Sequence, residues 1–153
     1  AGRSGSAFTA ELGAMKMREE IDAMRVIGLN PIEVLVAPRV IALVIALPCL
    51  AFIADMAAIL GGAIVSVVYV GIPLETFLQR LNEGVYVRTF LVGIAKAPFM
   101  ALIIAVVACM EGMKVEGSTD SLGRHTTEAV VKSIFLVIVV DGLFAMFYAA
   151  AAL

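Results

Sequence analysis

The chain has no tryptophan, one histidine and two cysteines, and only 16% of its 153 residues are charged. So small a stock of His and Cys leaves little to build a metal centre from, and none is expected. Cys49 and Cys109 both lie inside apolar runs, which points to packing rather than to a disulfide framework. The formal net charge is -2 and no basic run is present, so a nucleic-acid partner is not indicated. The pattern G-x-x-x-x-G-K-[ST] is missing, and the chain therefore has no P-loop of its own for a nucleotide's phosphates. Asp120, Ser121 and His125 could imitate a hydrolase trio, but they share one polar stretch without a nucleophile elbow. An enzyme is not the reading that follows, and no cofactor is expected on this chain.

What the chain has in abundance is apolar surface. Hydrophobic residues make up 62% and the mean hydropathy is +1.05, far from a soluble domain's average. The expected fold class is an all-α integral membrane protein, a multi-pass helical bundle with long transmembrane helices. Residues 1–14 show neither an initiator Met nor the n-region and cleavage motif of a signal peptide, and read as the end of a span whose other part is missing, as in an N-terminally truncated chain. Within them Gly2, Ser6, Ala10 and Ala14 form one small-residue row and Gly5, Thr9 and Gly13 a second, spacings that let another helix approach closely in lipid.

Residues 15–28 are a charged island between apolar stretches. Read as a helix over Met15 to Ile27, they place Met17, Ile21 and Met24 on one stripe and Arg18, Asp22 and Arg25 on a neighbouring face. Gly28 stands where a left-handed C-cap belongs, and Asn30-Pro31 prevents simple continuation. Surface helices that rest on lipid favour Lys and Arg, whereas Glu19, Glu20 and Asp22 sit here among the bases, so a protein partner is the better fit.

Residues 33–70 contain the longest apolar run, Val40 to Val70, about 46 Å as a helix against a hydrocarbon core of about 30 Å. One long helix fits better than two spans, with Pro48 and Gly61-Gly62 as points of deformation. Residues 73–84 read as a short amphipathic helix at the far membrane surface, with Leu74, Phe77, Leu78 and Leu81 on its apolar face. Residues 88–110 and 128–153 supply two further spans, separated by a polar loop at 111–127 whose Gly, Ser and Asp residues mark it. Asp55, Lys96 and Asp141 fall inside spans, where an ionisable group needs a protein partner or a function. If both long polar segments are cytoplasmic, they carry Lys16, Arg18, Arg25, Arg39, Lys114 and Arg124, against Arg80 and Arg88 opposite, as the positive-inside rule requires.

The stretch AGRSGSAFTAELGAMKMREEIDAMRVIGLNPIEVLVAPRVIA resembles the signature of the MlaE/YrbE permease family, the membrane subunit of ABC transporters that work with MCE proteins on lipids. The agreement covers Gly2, Arg3, Gly5, Ala10-Glu11-Leu12-Gly13, Glu20-Ile21-Asp22-Ala23, Gly28, Pro31 and Pro38-Arg39. Later, Lys96, Phe99, Cys109 and Gly112 resemble the pattern of the family's penultimate span, and His125-Thr126-Thr127-Glu128-Ala129-Val130-Val131-Lys132-Ser133 resembles its Ala-Thr-Thr-x-Ala-Val-Val-x-Ser run, with Asp141 following. Where the family has a Gly-Gly-rich loop, this chain has Gly117-Ser118-Thr119-Asp120-Ser121-Leu122-Gly123.

The resemblance implies a homodimeric permease in the bacterial inner membrane, moving phospholipid or a related lipid to or from an MCE-domain protein. It also implies a separate ABC ATPase that holds ATP and Mg, and a STAS-domain protein as a further partner. It makes residues 15–28 a cytoplasmic coupling helix, with Glu19, Glu20, Ile21, Asp22, Met24 and Arg25 as the ATPase-coupling residues, and 73–84 a periplasmic helix. The alternative function is a proton-coupled secondary transporter using Asp55, Lys96 and Asp141 as a relay.

Overall fold

The computed structural model describes residues 2–84 and 87–150. Ala1 of the 1–14 segment, the last three residues of the 128–153 span and the side chain of Arg88 lie outside the described residues. Among the described residues all the regular structure is helical: α1 Gly2–Met17, α2 Glu20–Val26, α3 Ala37–Val68 preceded by a π turn at Ile32–Val36, α4 Leu74–Gly84, α5 Val87–Met113 and α6 Thr119–Ala150. Three helical runs, Ile32–Val68, Phe90–Met113 and Thr119–Ala150, are long and apolar enough to cross a membrane.

Local chemistry explains the boundaries. Asn30 caps the run that begins at Pro31: its Oδ1 accepts the Ile32 N–H at 3.1 Å and its Nδ2 donates to Glu33 Oε1 at 3.2 Å, while Pro31 occupies a first-turn position where no N–H is needed. The π turn lies just ahead of Pro38, whose ring would meet the Val34 carbonyl in a regular α-helix; widening the backbone there relieves the clash. Helix α3 then runs unbroken through Pro48.

Two sequence boundaries move. Residues 15–28 are not one helix, because α1 continues to Met17 and Glu19 takes a left-handed conformation (φ 59°) before α2 starts. Nor are residues 111–127 a loop: α5 carries on to Met113 and α6 already begins at Thr119. Ser118 explains the early start, since its Oγ accepts the Ser121 N–H at 3.1 Å, and the Ser121 Oγ in turn accepts the Glu116 N–H at 3.1 Å.

The chain divides into two compact units. One runs from Ile45 to Pro98 and contains most of α3, α4 and the first part of α5. In it Phe52 and Phe90 meet edge to face at 5.9 Å. The other comprises the residues up to Val44 together with those from Phe99 onward. Its core joins Leu12 of α1, Ile21 of α2, Leu35 of the π turn and Cys109 of α5, with Met15, Met24, Val36 and Met113 packed around them.

Small residues set the closeness of this second unit. In the row Gly5, Thr9, Gly13 all three are buried. A Cβ on Gly5 would stand 3.4 Å from Ser133 Oγ, and one on Gly13 would stand 2.8 Å from Val115 Cγ2. From the facing helix, a Cβ on Gly112 would come within 2.8 Å of Leu12 Cβ and 3.2 Å of the Thr9 carbonyl oxygen. The Thr9 hydroxyl lies 2.9 Å from both the Gly5 and the Ala108 carbonyl oxygens, so it links α1 to α5 across the contact. The other row is less enclosed: Gly2 faces Val130 and Ile134, Ser6 donates to the Arg3 carbonyl at 3.0 Å, and Ala10 is half-buried.

Candidate functional site

Helix α2 is short and charged, and would not hold its shape alone. Two contacts fix it, and a third fixes the end of α1 that leads into it. The Lys16 ammonium donates to the Met113 carbonyl, tying the end of α1 to the C-terminus of α5, where a cation is favoured. Ile21, 1% exposed, enters the core beside Leu12, Leu35 and Cys109. At the far end Gly28 (φ 84°) closes a Schellman motif, with Gly28 N–H on the Arg25 carbonyl at 3.1 Å and Leu29 N–H on the Met24 carbonyl at 2.9 Å.

The face left open differs from the one drawn from the sequence. Ile21 is buried in the core and Met24 is half-buried against it, so both help to position α2. Outward stand Arg18, Glu19, Asp22 and Arg25, with Glu20 half-buried; Arg18 Nε pairs with Glu20 Oε1 at 3.0 Å and Arg25 Nη1 with Asp22 Oδ1 at 3.3 Å. Beside them Val26 and Ile27 are 87% and 72% exposed. Sequence reasoning passed over these two, although a Val-Ile pair directly ahead of a helix-ending glycine falls off the Met17, Ile21, Met24 stripe. The arrangement offers an apolar tip flanked by paired charges, the composition of a protein contact.

A second polar centre was not anticipated at all. Glu111, 3% exposed, accepts from Lys114 Nζ at 2.9 Å and Lys132 Nζ at 2.8 Å on Oε1, and lies 2.8 Å from His125 Nδ1 through Oε2. Lys132 also reaches Glu128 Oε2 at 2.8 Å. The bonds span up to 21 residues and join the end of α5 to α6. A buried carboxylate needs this many donors to offset its lost hydration. Glu111, His125 and Glu128 come close enough to one another to suggest metal ligands, but the Lys132 ammonium already bonds both carboxylates, so their geometry is explained without an ion. The hydrolase trio dissolves as well, since Ser121 is spent on the helix start and His125 on Glu111.

Asp55 and Lys96 belong to the Ile45–Pro98 unit and Asp141 to the other. Asp55 and Asp141 are exposed on the chain's surface and Lys96 is half-buried; Lys96 and Asp141 each have an interaction partner.

Comparison with known proteins adds the remaining information. Residues 1–147 match the family model described as Permease MlaE. The probable ABC transporter permease protein ycf63 of Pyropia yezoensis is 35% identical over 147 residues, covering 96% of this chain and 56% of that protein. A probable ABC transporter permease protein of Rickettsia typhi is 33% identical over 139 residues, 91% of this chain and 54% of its own length. The chloroplastic protein TRIGALACTOSYLDIACYLGLYCEROL 1 of Arabidopsis thaliana is 33% identical over 148 residues, 97% of this chain and 42% of that one. The chain thus spans about half the length of the curated relatives it matches.

Proposed function

This chain belongs to the MlaE permease family, and we propose that it is the membrane part of a permease that couples a separate ABC ATPase to the movement of a phospholipid or related lipid. The observation that carries the reading is α2: a short helix held against α1, the π turn and α5 through Ile21, with Asp22, Arg25, Val26 and Ile27 left open. Such an element suits transmission of a partner's movement to several membrane helices. The lipid is supported by the name of the Arabidopsis relative, which contains a galactolipid, and by apolar spans with few polar groups to offer a sugar or an amino acid.

In this reading the permease works as a homodimer in the bacterial inner membrane, with two ATPases that hold ATP and Mg, an MCE-domain protein at the far side and a STAS-domain protein as a further partner. Asp55, Lys96 and Asp141 carry no proton relay, because ATP drives the cycle.

The test is charge exchange on α2. Asp22→Lys combined with Arg25→Glu keeps net charge and the i, i+3 pairing, so the intact permease should insert normally yet retain its ATPase several-fold less well on co-purification from membranes. Unchanged ATPase retention would remove α2 from the coupling role. Mass spectrometry of the same preparation should find a phospholipid-class molecule and an MCE-domain protein.

A further inference from the structure

We propose that the groove between α5 and α6 beside Glu111 binds an anionic phospholipid of the surrounding membrane, its acyl chain along Val107, Met110, Phe135 and Leu136 and its phosphate on Lys114 and Lys132. The groove holds about 330 Å³ and is walled by those six residues and Glu111.

Depth is the first argument. On α5 the apolar run ends at Met110 and on α6 an apolar run begins at Ile134, and the Lys132–Glu111 bond at 2.8 Å brings these two ends to the same level. Lys114 and Lys132 stand just outside that level, where the phosphates of a bilayer lie. The groove continues from them into the apolar side, which matches the shape of a lipid, a charged head on an acyl chain.

Donor accounting is the second. Each lysine ammonium carries three N–H donors. The bonds described take one from Lys114, to Glu111, and two from Lys132, to Glu111 and Glu128, which leaves both ammonium groups able to donate further. Glu111 is buried behind them, whereas the lysine side chains are 52% and 46% exposed, so cations rather than the carboxylate face an approaching head group. Glu111 thereby acts as the post that holds both ammonium groups in place. Met110 and Phe135 are exposed beside them, giving the chain of the lipid an apolar wall.

The site depends on the chain being a membrane protein and not on which molecule is transported. Site-resolved photolabelling tests it. The intact permease is reconstituted with phosphatidylglycerol or phosphatidylcholine bearing a diazirine on one acyl chain, and the labelled peptides are mapped. Phosphatidylglycerol should label the Met110 and Phe135 peptides about five-fold more than phosphatidylcholine, the factor that corresponds to one interfacial cation. Lys114→Gln should lower that label several-fold without changing labels elsewhere, and Val107→Phe, which fills the groove, should lower it while leaving both lysines in place. Lys114→Arg should retain it. Equal labelling by the two lipids, full labelling in Lys114→Gln or in Val107→Phe, or displacement by inorganic phosphate would overturn the proposal, the last by showing a site for free anions.

Discussion

Arg39 Nη2 stands 2.6 Å from Glu11 Oε1 although 28 residues separate them, and this pair fastens α1 to the start of α3. The same guanidinium donates through Nη1 to the Leu35 carbonyl at 3.0 Å, beside the π turn. Two of the residues that carry the family resemblance thus meet in space.

The two ends of the pair are expected to respond unequally. Glu11 is exposed, so Glu11→Gln should cost less than about 1 kcal/mol. Arg39→Ala also removes the charged hydrogen bond to the Leu35 carbonyl and should cost about 2 kcal/mol. Thermal unfolding of the two single variants and the double variant in detergent measures the coupling; equal costs for both would show that the Leu35 contact contributes nothing.

Glu111 should be among the least tolerant polar positions. Glu111→Ala removes the acceptor shared by Lys114, Lys132 and His125, and about 3 kcal/mol of stability should go with it. Glu111→Gln keeps shape and one acceptor and should be milder. Lys114→Gln should be milder still, because Lys132 and His125 remain on the carboxylate. A Glu111→Ala protein that melts with the parent would show the network to be incidental.

Two glycines make a direct comparison. Gly112→Ala forces a methyl against Leu12 Cβ and the Thr9 backbone, neither of which can swing aside, so α1 and α5 must separate at a cost of about 1–3 kcal/mol. Gly142→Ala meets nothing within 4 Å and should instead raise stability by up to about 1 kcal/mol through helix propensity. The order of their melting temperatures checks the close approach.

On α2, burial separates positioning from contact. Ile21→Ala should destabilise the protein by about 2–3 kcal/mol by emptying its place beside Leu12 and Cys109. Val26→Ser, on the open tip, should leave melting within about 0.5 kcal/mol of the parent while lowering ATPase retention. A Val26→Ser protein that binds the ATPase fully would confine the contact to the charged residues.

Helix ends and spans could be read from the chain where short-range chemistry decides them. Gly28, Asn30-Pro31 and the small-residue rows each act within a few residues, and the three long apolar runs declare themselves by length. The Glu111 centre depends instead on α5 and α6 meeting, and no spacing along the chain encodes a bond from residue 111 to residue 132. One local hint existed, the i, i+4 pair of Glu128 and Lys132, which is ordinary helix chemistry inside the span read at 128–153. The break at Glu19 was hidden for a similar reason: the Met17, Ile21, Met24 stripe fits one continuous helix, and only the docking of Ile21 into the core favours a left-handed turn at a residue that dislikes it.

That turn decides how α2 can act mechanically. The hydrogen-bond ladder is interrupted there: the Glu19 N–H tightens onto the Lys16 carbonyl at 3.0 Å, and the next ladder starts with Ala23 N–H on the Glu19 carbonyl at 2.9 Å. A rod without a break would pass twist along its axis into α1 alone. With the break, in the proposed coupling role a push on α2 would travel sideways through Ile21 into Leu12, Leu35 and Cys109, and so be shared at once among α1, the π turn ahead of α3 and α5.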